Sequence, residues 1–119
     1  MTEIYLDNGA TTKPSELCKE KIIELLEKKY GNPSSLHEKG FEAEQELEQA
    51  RNIIASSIKA NAEEIYFTSG GTEANNIAVF GSVKAKKKQG TKIVTTEIEH
   101  SSVYNSIKEL EKDGYEVIY

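Results

Sequence analysis

One cysteine, Cys18, stands in the 119 residues. No intrachain disulfide can form, which excludes the stapled scaffolds of small secreted domains and makes a reducing, cytoplasmic setting the expectation. No long apolar run occurs, so neither a membrane-spanning helix nor a signal peptide is expected. Positive charge is also short, with 15 Lys and Arg against 20 Asp and Glu and a net charge of −5. That balance argues against a nucleic-acid partner. The one basic run, Lys84 to Lys88, falls near an expected helix end, where it faces solvent and complements the helix dipole. No metal-ligand set is expected. The length suits one modest core.

What is present is a regular alternation of elements. Ile4-Tyr5-Leu6 is a short extended run stopped by the turn signal Asp7-Asn8-Gly9. A helix should begin near Pro14, a residue favoured in the first turn, with Thr12 or Lys13 just ahead. Cys18, Ile22, Leu25 and Leu26 then follow helical spacing and predict one buried stripe. Cys18 on that stripe reads as a small buried hydrophobe rather than a nucleophile. Tyr30-Gly31-Asn32-Pro33-Ser34-Ser35 breaks the helix into a polar loop. A second helix spans about Lys39 to Lys59, with Leu47, Ala50, Ile54 and Ile58 on one face and Glu42, Glu44, Glu46 and Glu48 mostly outward. Asn61 is the expected left-handed stop.

From residue 64 onward, strands and helices alternate. The expected strands are Ile65–Thr68, Lys92–Thr96 and Tyr115–Tyr119. The expected helices are Thr72–Lys88, with a small-residue face of Ala74, Ile77, Ala78 and Gly81, and Ser102–Lys112, with Val103, Ile107 and Leu110 inward. Gly114 is placed to end the last helix. This is an α/β pattern: an N-terminal helical segment, residues 1–62, and then residues 63–119 as the first βαβαβ part of a mainly parallel sheet with right-handed crossovers. Parallel sheets are normally covered on both faces. The chain stops on an apolar strand with no closing helix, so the expectation is the N-terminal part of a longer protein with the larger domain incomplete.

The stretch with the most chemistry is Tyr66-Phe67-Thr68-Ser69-Gly70-Gly71-Thr72-Glu73. An apolar run ends at two glycines and a hydroxyl residue opens a helix. Backbone N–H groups are thereby exposed at the positive end of a helix dipole, with no Cβ in the way of an approaching anion. The same residues would also serve as a plain strand–turn–helix connection with Thr72 capping the helix. They form neither a Walker A loop nor a GxGxxG fingerprint.

Four motifs occur together: Tyr5-Leu6-Asp7-Asn8-Gly9-Ala10-Thr11-Thr12, Tyr30-Gly31-Asn32-Pro33-Ser34-Ser35-Leu36-His37, Phe67-Thr68-Ser69-Gly70-Gly71-Thr72-Glu73, and Thr96-Glu97-Ile98-Glu99-His100-Ser101-Ser102-Val103. In this order and spacing the chain resembles the cysteine desulfurases of the NifS/IscS type, within the class V aminotransferase group of pyridoxal-phosphate enzymes. The resemblance covers essentially the whole chain. It implies the large domain of pyridoxal-phosphate fold type I, with Gly71 and Thr72 holding the 5′-phosphate and His100 stacked on the pyridine ring and assisting proton transfers. An imidazole is flat and titrates near neutrality, so it suits both tasks. The position of His100 just after a strand's C-terminal end is where open α/β sheets bind ligands. His37 is expected to be a structural hydrogen-bonding residue.

The resemblance further implies L-cysteine as substrate, a sulfur-acceptor protein such as an iron–sulfur scaffold, and a homodimer. It also implies a cofactor-binding lysine, an aspartate on the pyridine nitrogen, a substrate-binding arginine and a sulfur-accepting cysteine, all lying later than residue 119. Cys18 does not match that cysteine, and Arg51 reads as a mid-helix surface residue. This chain alone is therefore expected to be inactive. Another class V enzyme, such as a selenocysteine lyase or an aminotransferase, and a non-catalytic binding or dimerisation module are the competing readings.

Overall fold

The computed structural model describes residues 4–119. The chain divides into two compact units, one running up to Ile65 and the other Tyr66–Tyr119.

In the first unit the Asp7 carbonyl accepts from the Ala10 and Thr11 N–H groups at 3.1 and 3.3 Å, closing the expected turn. Helix α1 is Glu16–Glu27 and starts later than expected. Ser15 rather than a residue ahead of Pro14 is the N-cap, because its hydroxyl reaches the Cys18 N–H at 3.2 Å. The stripe on α1 is not buried. Cys18 is exposed, and Ile22 and Leu26 are 51% and 71% exposed. Leu25 and Leu26 instead line a groove of about 680 Å³ with Leu47, Ala50 and Ile53 of the following helix.

Helix α2, Glu38–Ile58, is capped by His37, whose Nδ1 accepts from the Gly40 N–H at 3.2 Å. His37 is thus the structural residue the sequence suggested. Of the α2 residues only Gly40 and Ala55 are buried. Glu46, expected outward, is turned toward α1 by Lys21 at 2.7 Å and by Lys29. The left-handed stop is Lys59 (φ 57°, ψ 37°) in place of Asn61. The Ala60 N–H reaches back to the Ala55 carbonyl at 2.9 Å, placing the left-handed stop two residues earlier than expected. Asn61 instead leads a single 3₁₀ turn, Ala62–Glu64, and its N–H donates to the Glu64 carboxylate at 2.8 Å. Arg51 is half-buried and donates to the Ile65 carbonyl, so it is a tether within this unit rather than a free surface charge.

The second unit contains α3 (Gly71–Lys86), β1 (Lys92–Val94), α4 (Ser101–Lys112) and β2 (Glu116–Ile118). β1 and β2 pair in parallel with Ile93 opposite Val117, and α4 is the crossover between them. The Glu116 N–H to Thr91 carbonyl bond (3.0 Å) and the Thr95 N–H to Ile118 carbonyl bond (2.9 Å) extend the ladder by one step at each end. The expected strand Ile65–Thr68 is absent. Ile65 is extended (φ −97°, ψ 122°), but its carbonyl is taken by the Arg51 side chain, and a strand exists only where a neighbour completes the ladder.

Helix α4 buries Ser102, Ser106, Ile107 and Leu110. Ile107 and Leu110 match expectation, while Val103 is only half-buried and two serines share the face. Gly114 follows the helix at φ 91°, the left-handed stop foreseen for it. The small-residue face of α3 is not buried either. That helix meets α4 through its half-buried asparagines Asn75 and Asn76.

Candidate functional site

The loop from Thr68 to Glu73 is shaped by its own side chains. The Thr68 hydroxyl donates to the Gly70 carbonyl at 3.1 Å. The Glu73 carboxylate turns back and accepts from the Ser69 N–H at 2.6 Å and the Ser69 hydroxyl at 2.7 Å. These two bonds, the backbone one first, hold the Glu73 carboxyl below its ordinary value. Glu73 therefore fixes the loop as an anion at neutral pH.

Gly70 occupies the N-cap position and offers no side-chain cap. The first ladder bond of α3 runs from the Ala74 N–H to the Gly70 carbonyl at 3.1 Å. The N–H groups of Gly71, Thr72 and Glu73 thus stand ahead of the ladder, as the first donors of any helix do. A Cβ built on Gly70 or Gly71 would meet nothing of the chain within 4 Å. Both glycines keep the approach to these donors clear. Thr72 was weighed as a helix cap from sequence. It lies inside α3 and leaves the cap position to Gly70.

His100 sits at the N-cap of α4, two residues before the helix start read from the sequence. Its carbonyl accepts from the Val103 and Tyr104 N–H groups at 2.9 and 3.0 Å. Its Nδ1 accepts from the Ser102 N–H at 3.2 Å and lies 2.8 Å from the Ser102 hydroxyl. Ser102 is 7% exposed, and its hydroxyl also receives the Asn75 side-chain amide at 2.8 Å. One turn further along α4, the Ser106 hydroxyl lies 2.8 Å from the Ser102 carbonyl and 3.2 Å from the Asn76 side-chain oxygen. The Asn76 amide in turn donates to the Thr72 carbonyl at 2.8 Å.

Thr72 on α3 is therefore tied to His100 on α4 by a continuous set of hydrogen bonds through Asn76, Ser106 and Ser102. Both helix starts belong to the same end of this helix pair. Sequence reading named Gly71, Thr72 and His100 but missed Asn75, Ser102 and Ser106. Polar residues at helical spacing carry no signal of their own until the partner helix is known.

The donor set at the start of α3 suits an anionic group. Three first-turn N–H groups and the Thr72 hydroxyl, at the positive end of α3, match anionic oxygens. Nothing in the chain's own packing requires the two glycines.

The chain is similar to known proteins over nearly its whole length. The family model described as Aminotransferase class-V matches residues 4–119. A NifS/IcsS protein homolog of Lactobacillus delbrueckii subsp. bulgaricus is 46% identical over 114 residues, covering 96% of this chain and 30% of that protein. A cysteine desulfurase IscS of Neisseria meningitidis serogroup C is 43% identical over 119 residues, covering 99% of this chain and 30% of that protein. Among solved structures, a NifS-like protein superposes with a TM-score of 0.88 at 36% identity, over 99% of this chain and 32% of that one. SspA in complex with cysteine gives a TM-score of 0.80 at 33% identity, over 92% of this chain and 32% of that one. The chain thus spans about 30% of the length of the curated relatives it matches.

Proposed function

This chain belongs to the class V aminotransferase family, and from that premise we propose that it supplies the phosphate-binding part of a pyridoxal-phosphate-dependent cysteine desulfurase. The reaction proposed is conversion of L-cysteine to L-alanine, with the sulfur passed through an enzyme persulfide to an acceptor protein such as an iron–sulfur scaffold. The observation that carries the reading is the open start of α3, joined by hydrogen bonds to the capping histidine of α4. The likeness to IscS and NifS proteins supports the choice of reaction, and the neighbour solved with cysteine supports the substrate.

In this reading the N–H groups of Gly71 and Thr72 and the Thr72 hydroxyl grip the 5′-phosphate, and the α3 dipole adds to the attraction. His100 lies against the ring and holds or moves a proton there. Glu73 keeps the loop in its gripping shape through Ser69. The bound cofactor supplies an electron-withdrawing ring that stabilises negative charge on the substrate carbon. The covalent lysine and the sulfur-accepting cysteine belong, in this proposal, to the length of the relatives that this chain does not span. Cys18 is exposed on α1, in the other unit, and has no part in the proposed reaction. A homodimer working in the cytoplasm completes the proposal. None of the helices in the described residues is long and apolar enough to cross a membrane.

Equilibrium binding of pyridoxal phosphate and of pyridoxal, followed by cofactor absorbance and tyrosine fluorescence, tests the grip. The expected outcome is at least tenfold weaker binding without the phosphate, equivalent to about 1.4 kcal/mol. Equal affinity for the two would sink the proposed phosphate site.

A further inference from the structure

We propose that Asn75 and Ser102 are positioning residues that hold neutral His100 as the Nε2–H tautomer, so that the ring meets its ligand as a proton donor. The case begins with the backbone. The Ser102 N–H points at His100 Nδ1 from 3.2 Å, and a backbone N–H can only donate, so Nδ1 must be the unprotonated nitrogen. The Ser102 hydroxyl, 2.8 Å from the same atom, can then only donate as well. Its lone pairs are left to accept, and the Asn75 amide fills that role at 2.8 Å.

The three bonds run in one direction, from Asn75 through Ser102 to His100. The opposite amide orientation of Asn75 would draw the Ser102 proton away and set two lone pairs against each other at Nδ1. With Nδ1 supplied by two donors, the single ring proton resides on Nε2. Ser102 is 7% exposed, so water competes poorly for its hydroxyl and the direction of the chain of bonds is enforced. The tautomer follows from this chain's own geometry. Only its use, offering Nε2–H to the cofactor or substrate before any proton is accepted, rests on the function proposed above.

The test is nitrogen NMR of the two imidazoles in uniformly ¹⁵N-labelled protein without cofactor, at a pH where both rings are neutral. His100 and His37 are the only histidines, and His37, whose Nδ1 accepts from the Gly40 N–H, serves as the internal reference. The wild-type His100 ring should show protonated Nε2 and bare Nδ1, outweighing the other tautomer about tenfold. S102A keeps only the backbone donor and should reduce that ratio about fivefold while the His37 signals stay in place. N75D substitutes an acceptor for the donor, pulls the Ser102 proton away and should raise the Nδ1-protonated form above its wild-type share.

A wild-type ring protonated mainly at Nδ1 would overturn the proposal, as would an S102A ratio equal to wild type. Where N75D does not fold, the wild-type spectrum and S102A decide. Phosphate-dependent cofactor binding is read separately. A failed grip with the Nε2–H ring intact would sink the function and leave this inference standing, and the reverse result would do the opposite.

Discussion

Two glycines of the first unit and two of the second differ in what surrounds them. In the first, Gly31 and Gly40 lie where backbone meets backbone. A Cβ on Gly31 would stand 1.9 Å from the Lys39 carbonyl oxygen, and one on Gly40 would stand 2.1 Å from the Ser35 carbonyl oxygen. In the second, a Cβ on Gly70 or Gly71 would touch nothing of the chain. The first pair serves folding, since the loop from Tyr30 to Ser35 can lie against the start of α2 only without side chains. The second pair meets no such obstacle, and in the function proposed above it keeps the approach to the three donors ahead of α3 clear.

The hardest way to break this comparison is to fill both kinds of position. Gly31→Ala drives a methyl into the carbonyl of the first turn of α2, and backbone must shift to admit it. The expected cost is about 4 kcal/mol, at the severe end of single substitutions. Urea unfolding followed by circular dichroism reads it. A loss under about 1 kcal/mol would show that the loop yields cheaply, and the folding role of Gly31 would fall.

Much of this was legible beforehand, for reasons particular residues show. The helices were readable because periodicity and stop signals agree, as at Gly114, where only a left-handed residue turns α4 into β2. The loop proposed above to bind phosphate stood out because two glycines and a hydroxyl at a helix start form a local pattern. The strand at Ile65–Thr68 was misread because apolar, β-prone sequence reports a tendency, while a strand needs a partner to complete its ladder. Burial on α1 and α2 was misread for a related reason. Leu25, Leu26 and Leu47 mark a face, but spacing alone says nothing of what lies opposite, and here it is a groove. The Asn75–Ser102–His100 chain was illegible because its members are 27 residues apart and become neighbours only when α3 meets α4.

The units also differ in how polar groups join helices, and acid separates them. In the first, Glu46 of α2 accepts from Lys21 of α1 and from Lys29 just after it, and these bonds lower its carboxyl below the ordinary 4.5. A depressed folded value adds stability above the unfolded value, and that stability is lost as pH falls through the folded one. The second unit joins α3 to α4 by neutral bonds, Asn75 to Ser102 and Ser106 to Asn76, which carry no such dependence. Urea midpoints should therefore fall in wild type between about pH 5 and pH 3, with E46Q less stable at neutral pH and converging on wild type in acid. Parallel curves for the two proteins across that range would remove Glu46 from the account. The effect is smaller than that of Gly31→Ala, since the lysines are partly exposed and water screens them.

The smallest expected change in stability is the most telling for function. Gly71 is the first residue of α3, where alanine is the better helix former and the added methyl meets nothing. Gly71→Ala should leave the unfolding free energy unchanged or raise it by up to about 1 kcal/mol, through a less flexible unfolded chain. The same methyl projects into the approach to the Gly71 and Thr72 N–H groups, so pyridoxal phosphate affinity should fall about tenfold while pyridoxal affinity stays level. Stability and binding would then move in opposite directions at one atom. If stability fell with affinity, Gly71 would belong with Gly31 as a packing glycine, and the distinction between the two units would collapse.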